Sequence, residues 1–142
     1  MYKTEFQIRV RYGETDQMNV VYHANYITYF EVARTESIRE LGFTYREMEA
    51  MGVEMPVTEI IIRYLRPAHY DDLLTVKTQL RTLPEKHHID FYQEIFNDNG
   101  KLITSGKVTL FFLDKETKKR SKMPDILRDK LAQYFSDSRN RG

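Results

Sequence analysis

Tyr22-His-Ala-Asn-Tyr-Ile-Thr-Tyr-Phe-Glu-Val-Ala-Arg-Thr-Glu-Ser-Ile-Arg-Glu-Leu41 decides the architecture of this chain. Tyr26, Ile27, Phe30, Ala33, Ser37, Ile38 and Leu41 recur at steps of three and four, which gathers them on one helical face. At about 3.6 residues per turn the segment makes roughly five turns. Glu31 with Arg34, and Glu36 with Arg39, stand three apart and are expected to pair. Gly42 follows as a stop, because glycine accepts the left-handed conformation that ends helices.

On both sides of this helix the period falls to two. Upstream, over residues 4–12, Phe6, Ile8, Val10 and Tyr12 alternate with Glu5, Gln7, Arg9 and Arg11, predicting a half-buried strand. Downstream, Thr44 to Met51 reads as a short second helix, with Thr44 as N-cap and Glu47 three residues on. Val53 to Leu65 reads as a strand that Pro56 confines to an edge or a bulge. Strands follow over Leu74–Leu80 and Ile89–Ile95, and Asp98-Asn99-Gly100 marks a hairpin into Leu102–Leu113. Pro124 to Phe135 closes the chain as a helix, and residues 136–142 read as a flexible tail. Strands clustered after one helix predict an α+β fold, an antiparallel sheet of about five strands covered by one long helix.

At 142 residues the chain is expected to form one domain, over residues 1–135. The net charge of +1 gives no pull toward nucleic acid or an anionic membrane. No apolar run reaches membrane-spanning length, and the N-terminus lacks the apolar core of a signal peptide. With no cysteine, thiol nucleophiles and thiolate metal sites are excluded, and a cytoplasmic location is expected. His69, His87 and His88 lack metal-ligand spacing, so no metal is expected. Phosphate loops, serine elbows and dinucleotide fingerprints are also absent.

The chemistry gathers just before the long helix. Asp16 lies in a loop leading to the helix N-terminus, whose free N–H groups stabilise developing negative charge. A free aspartate ionises near about pH 4, so it serves as nucleophile or base without activation. A carboxylate facing an oxyanion site suits hydrolysis of an activated acyl group.

The run Tyr12-x-x-Thr15-Asp16, then Val21-Tyr22-His23-Ala24-Asn25-Tyr26, then Phe30-Glu31-x-Ala33-Arg34, resembles the hotdog-fold acyl-CoA thioesterases. Within them it is most similar to the 4-hydroxybenzoyl-CoA thioesterase and YbgC-like branch. Ile62-Arg63-Tyr64-Leu65-Arg66-Pro67-Ala68-x-Tyr70-Asp71-Asp72 supports the likeness. The departure is Gln17-Met18-Asn19, where relatives often carry small residues.

The resemblance implies a sheet wrapped around the central helix and a homodimer or homotetramer with active sites at the dimer interface. It assigns the catalytic carboxylate to Asp16 and the oxyanion contact to the backbone N–H of His23. Tyr12 and the His23 side chain match further implicated positions. Substrate contacts are expected from Val21, Tyr22, Asn25, Tyr26 and Phe30; Tyr29 belongs to the same aromatic stripe, which at this spacing usually builds core and is expected to give the ligand one or two residues at most. Arg63 and Arg66, with Lys86 and Lys118-Lys119-Arg120, are candidates for coenzyme A phosphates, against the reading of a solvated face. Asn25 either braces the Asp16 loop or is an ordinary first-turn residue, and Thr15 reads as structural. The expected activity is acyl-CoA hydrolysis without metal or organic cofactor. The alternatives are an acyl-carrier-protein thioesterase and a non-catalytic acyl-thioester binder.

Overall fold

The computed structural model describes residues 1–135, so the tail expected over 136–142 lies outside the described residues. Strand β1 (Tyr2–Arg9) leads through a 3-10 turn (Tyr12–Glu14) to helix α1 (Asn25–Glu40) and helix α2 (Tyr45–Ala50). Then come β2 (Val53–Glu54), β3 (Val57–Tyr64), β4 (Leu73–Leu80), β5 (His88–Phe96), β6 (Leu102–Phe111), β7 (Leu113–Asp114) and α3 (Asp125–Ala132). Five strands form one antiparallel sheet in the order β1-β4-β5-β6-β3. Helix α1 packs across one face of this sheet, against β1, β4 and β5, as the hotdog resemblance implies.

Alternation explains the packing. Leu74, Val76, Thr78 and Leu80 of β4, with Ile89, Phe91, Gln93 and Ile95 of β5, are all buried against the helix side. Burying a large apolar side chain contributes about 1.5–3 kcal/mol. Two polar contacts fix the helix on this surface. Gln93 Nε2 donates to the Phe30 carbonyl at 2.9 Å and to Thr78 Oγ1 at 3.0 Å. Tyr2 donates its O–H to the Ser37 carbonyl at 2.6 Å.

The helix differs from the sequence expectation in three ways. It begins at Asn25, not Tyr22, because the preceding residues are held in a loop ladder. Ile27 is 38 % exposed, and Tyr29 and Arg34 join the buried stripe, which is wider than the apolar pattern implied. Arg34 turns inward while Glu31 stays exposed, so that pair does not form; Glu36 and Arg39 do pair.

Pro56 splits the expected strand. Its carbonyl accepts from Phe111 N–H at 3.0 Å, and β2 on its other side pairs with β7 in a separate two-stranded ribbon. Leu113 therefore belongs to that ribbon and not to β6. Tyr12 has left β1 for the 3-10 turn and is 72 % exposed. The closing helix is shorter than expected, at Asp125–Ala132.

Caps fall where the sequence put them. Thr44 Oγ1 accepts from Glu47 N–H at 3.0 Å, and Gly42 and Gly52 adopt φ of +83° and +84°. Removing that N-cap with Thr44→Ala is expected to cost about 1 kcal/mol in urea unfolding. A change below a few tenths would deny the cap its role. Among the described residues no helix is long and apolar enough to cross a membrane.

Candidate active site

The residues between β1 and α1 form a small hairpin. Asp16 N–H donates to the Val20 carbonyl at 2.9 Å, and Tyr22 N–H donates to the Glu14 carbonyl at 2.9 Å. Thr15 and Val21 face each other as an antiparallel bridge. One arm thus carries Asp16, and the other runs through Tyr22 and His23 into α1. The connecting turn needs a left-handed residue, and Asn19 supplies it at φ +65°. Asparagine tolerates that region, so Gln17-Met18-Asn19 keeps the turn without glycine.

Within the turn, Asp16 Oδ1 accepts from Met18 N–H at 2.8 Å. Among the described residues, the His23 and Ala24 N–H groups meet no acceptor. These are the orphan donors of a helix start. The His23 carbonyl is held from the other side by Tyr64 O–H at 3.2 Å. The His23 ring lies 4.4 Å from Tyr22 and 6.0 Å from Tyr64, centroid to centroid.

The second motif is the seat of this hairpin. Val21 N–H donates to the Ala68 carbonyl at 2.8 Å, and Val20 bridges His69. Ala68 N–H donates to Tyr26 Oη at 3.2 Å, so the buried Tyr26 is a structural brace at its polar end. Burial pushes the Tyr26 hydroxyl up from its ordinary value, with the Ala68 hydrogen bond acting against that rise.

Other expected residues sort by position. Asn25 Nδ2 donates to the Glu14 carbonyl at 2.8 Å, realising the bracing alternative. Thr15 Oγ1 donates to the Tyr12 carbonyl at 2.7 Å, as a structural residue does. Phe30 is fully buried beneath Gly106, and Val21 is 3 % exposed. Tyr22, 47 % exposed, and Tyr12, its ring 5.8 Å from Tyr70, stand at the surface. Arg66 donates to the Leu102 carbonyl at 2.9 Å. Arg63 alternates with Tyr64 and so lies on the sheet face opposite His23, beside Arg81, Tyr92 and Lys107. Lys118 pairs with Glu54 at 2.8 Å and Arg120 sits over Phe111, so these two side chains are engaged within the fold.

Two participants escaped the sequence reading. Glu14 and Tyr64 make the contacts that hold the hairpin and the helix start. Arg11 three residues before Glu14 was the available signal.

Comparison with known proteins accords with this geometry. The model of the thioesterase-like superfamily matches residues 10–131. The putative acyl-CoA thioesterase YneP of Bacillus subtilis is 40 % identical over 129 residues, covering 88 % of this chain and 93 % of that protein. The acyl-CoA thioester hydrolase YbgC of Escherichia coli O157:H7 is 32 % identical over 117 residues, covering 82 % and 87 %. A DHNA-CoA thioesterase structure from Staphylococcus aureus superposes with a TM-score of 0.81 at 36 % identity, covering 99 % of this chain and 88 % of that one.

Proposed function

The chain belongs to the thioesterase-like superfamily and is a thioester hydrolase, and we propose that it cleaves acyl-CoA to a carboxylic acid and free coenzyme A. The observation that carries the proposal is the hairpin, one arm of which carries Asp16 while the other leads into the His23 and Ala24 N–H groups, which bond no protein acceptor among the described residues, at the start of α1.

Two routes use these groups. As base, Asp16 takes a proton from water while the water oxygen attacks the thioester carbonyl. As nucleophile, its carboxylate attacks and forms a mixed anhydride, which water then opens. In both, the carbonyl oxygen becomes an oxyanion held by the His23 N–H. Collapse breaks the C–S bond, and the thiolate leaves to be protonated by solvent. One such donor contributes about 3 kcal/mol in the transition state. These groups suffice for the reaction, so neither a metal nor an organic cofactor enters it.

Tyr12 and the His23 imidazole line the approach, with Tyr22 and Asn25 beside them. Arg63 serves coenzyme A phosphate only from the outer sheet face. The exposed edge strand β3, with Val57 44 % and Ile61 52 % exposed, is where a second copy would pair into a homodimer or homotetramer. Its end carries Tyr64, whose bond to the His23 carbonyl supports an interface beside the site. A cytoplasmic location suits this substrate.

The test is thiol release from a panel of short, medium, long and aromatic acyl-CoAs. Release well above the spontaneous rate from at least one class is expected. No release from any member would reject acyl-CoA hydrolysis and leave carrier-protein thioesters or binding without turnover.

A further inference from the structure

Glu14 sits two residues before Asp16, and its carboxylate is more engaged than any other around the hairpin. The side chain is 13 % exposed, and both oxygens are used. Oε1 accepts from Arg11 N–H at 2.9 Å and from the Tyr29 hydroxyl at 2.9 Å. Oε2 accepts from Arg11 Nη2 at 3.0 Å and Nε at 3.3 Å. The Glu14 carbonyl takes Tyr22 N–H and Asn25 Nδ2. One residue thus ties the end of β1, both hairpin arms and the first two turns of α1 together.

Tyr29 is the unexpected member. It is 2 % exposed among apolar neighbours, and its hydroxyl has Glu14 as its acceptor. Phenylalanine would satisfy that pocket for packing alone, and apolar replacements of buried polar pairs are often neutral for stability. A hydroxyl there is explained by what it aims: a short, charge-assisted bond fixes distance and direction, as packing does not. The ionisation states agree. Burial opposes the Glu14 charge, but the bonds from the Arg11 backbone, Tyr29 and the Arg11 guanidinium outweigh it and hold its carboxyl below the ordinary range. Burial, then Glu14 itself, drives the Tyr29 hydroxyl far up, so it stays a donor.

We propose that Glu14 and Tyr29 are a positioning pair, which locks the hairpin to α1 and thereby sets Asp16 against the helix-start N–H groups. The inference rests on the thioesterase reading for its catalytic consequence, but the lock itself is readable without activity. A displacement of about 1 Å at a reacting group is enough to lose about 10²-fold in rate.

The experiment compares wild type with Tyr29→Phe, Glu14→Gln and the double variant. Tyr29→Phe leaves Glu14 its three Arg11 contacts, so this variant is expected to fold. Amide hydrogen exchange at Asp16 and Asn19, donors within the hairpin, is expected to accelerate at least tenfold, while α1 and β5 amides stay protected. On the best acyl-CoA, kcat is expected to fall about 10- to 100-fold with KM changed less than threefold. Glu14→Gln keeps an oxygen that accepts from Tyr29 but loses the charge that strengthens the bond, so Tyr29→Phe should cost less in the Glu14→Gln background than in wild type. Unchanged exchange at Asp16 and Asn19 in folded Tyr29→Phe overturns the lock whatever the activity. Faster exchange with unchanged kcat, in an active wild type, overturns the positioning role. A wild type that releases no thiol rejects the thioesterase reading separately, and the exchange result still decides the lock.

Discussion

Replacing Asp16 with Asn is expected to lower kcat by about 10³-fold while leaving KM and thermal stability nearly unchanged. The substitution preserves size, and the asparagine oxygen can still accept from Met18 N–H, the contact that shapes the turn. What disappears is the negative charge that takes the proton from water or attacks the carbonyl. A carboxylate base contributes typically about 10²- to 10⁴-fold, so the residual rate reports the oxyanion donor and binding alone. Steady-state thiol release on the preferred acyl-CoA, with the melting temperature measured beside it, reads both quantities. Equal rates for the two proteins would remove Asp16 from the chemistry.

The second large effect is on stability. A Cβ on Gly106 would lie 2.7 Å from Phe30 Cε2 and 2.8 Å from the Ile61 carbonyl oxygen. The phenyl ring can shift slightly. The carbonyl belongs to β3, paired with β6 through Ile61 opposite Lys107, and can move only by loosening that ladder. Gly106→Ala is therefore expected to cost about 1–3 kcal/mol, within the overpacking range. For a chain of this size that lowers Tm by roughly 3–10 °C. Adding Phe30→Leu relieves the ring contact but not the backbone one, so the double variant should recover only part of the loss. Full recovery, or no loss in the single variant, would contradict this account of how the sheet closes over the helix.

The fold was legible because its periods are clean. Period two over β1, β4 and β5, against steps of three and four across α1, separates the elements without any tertiary information. Turn residues helped, since Gly42, Gly52 and Gly100 all adopt positive φ at the boundaries they marked. The β2–β7 ribbon was invisible, because strands of two residues carry no period. Helix α1 starts three residues later than its pattern suggests, as Tyr22 and Tyr26 fit one apolar stripe although Tyr22 pairs with Glu14. Arg34 misled for a related reason. Spacing of three puts it beside Glu31 on a bare helix, but Arg34 is buried and faces Tyr45 of α2 instead.

At the site, the motif identified the hairpin residues but not what holds them. That Tyr29 reaches back to Glu14 depends on how β1 and α1 meet, a long-range contact that neither local pattern encodes. The same holds for Tyr64 on the His23 carbonyl, which requires β3 to run at the sheet edge beside the helix start. Arg63 was grouped with Arg66 by proximity in sequence, although alternation along β3 turns Arg63 outward.

The most direct measurement is a crystal structure of the Asp16→Asn protein with its preferred acyl-CoA bound and uncleaved. Catalysis by these groups requires the thioester oxygen about 3 Å from the His23 N–H, with the residue 16 side chain at the carbonyl carbon from the opposite side. A thioester carbonyl bound elsewhere, with the His23 N–H facing solvent, would contradict it.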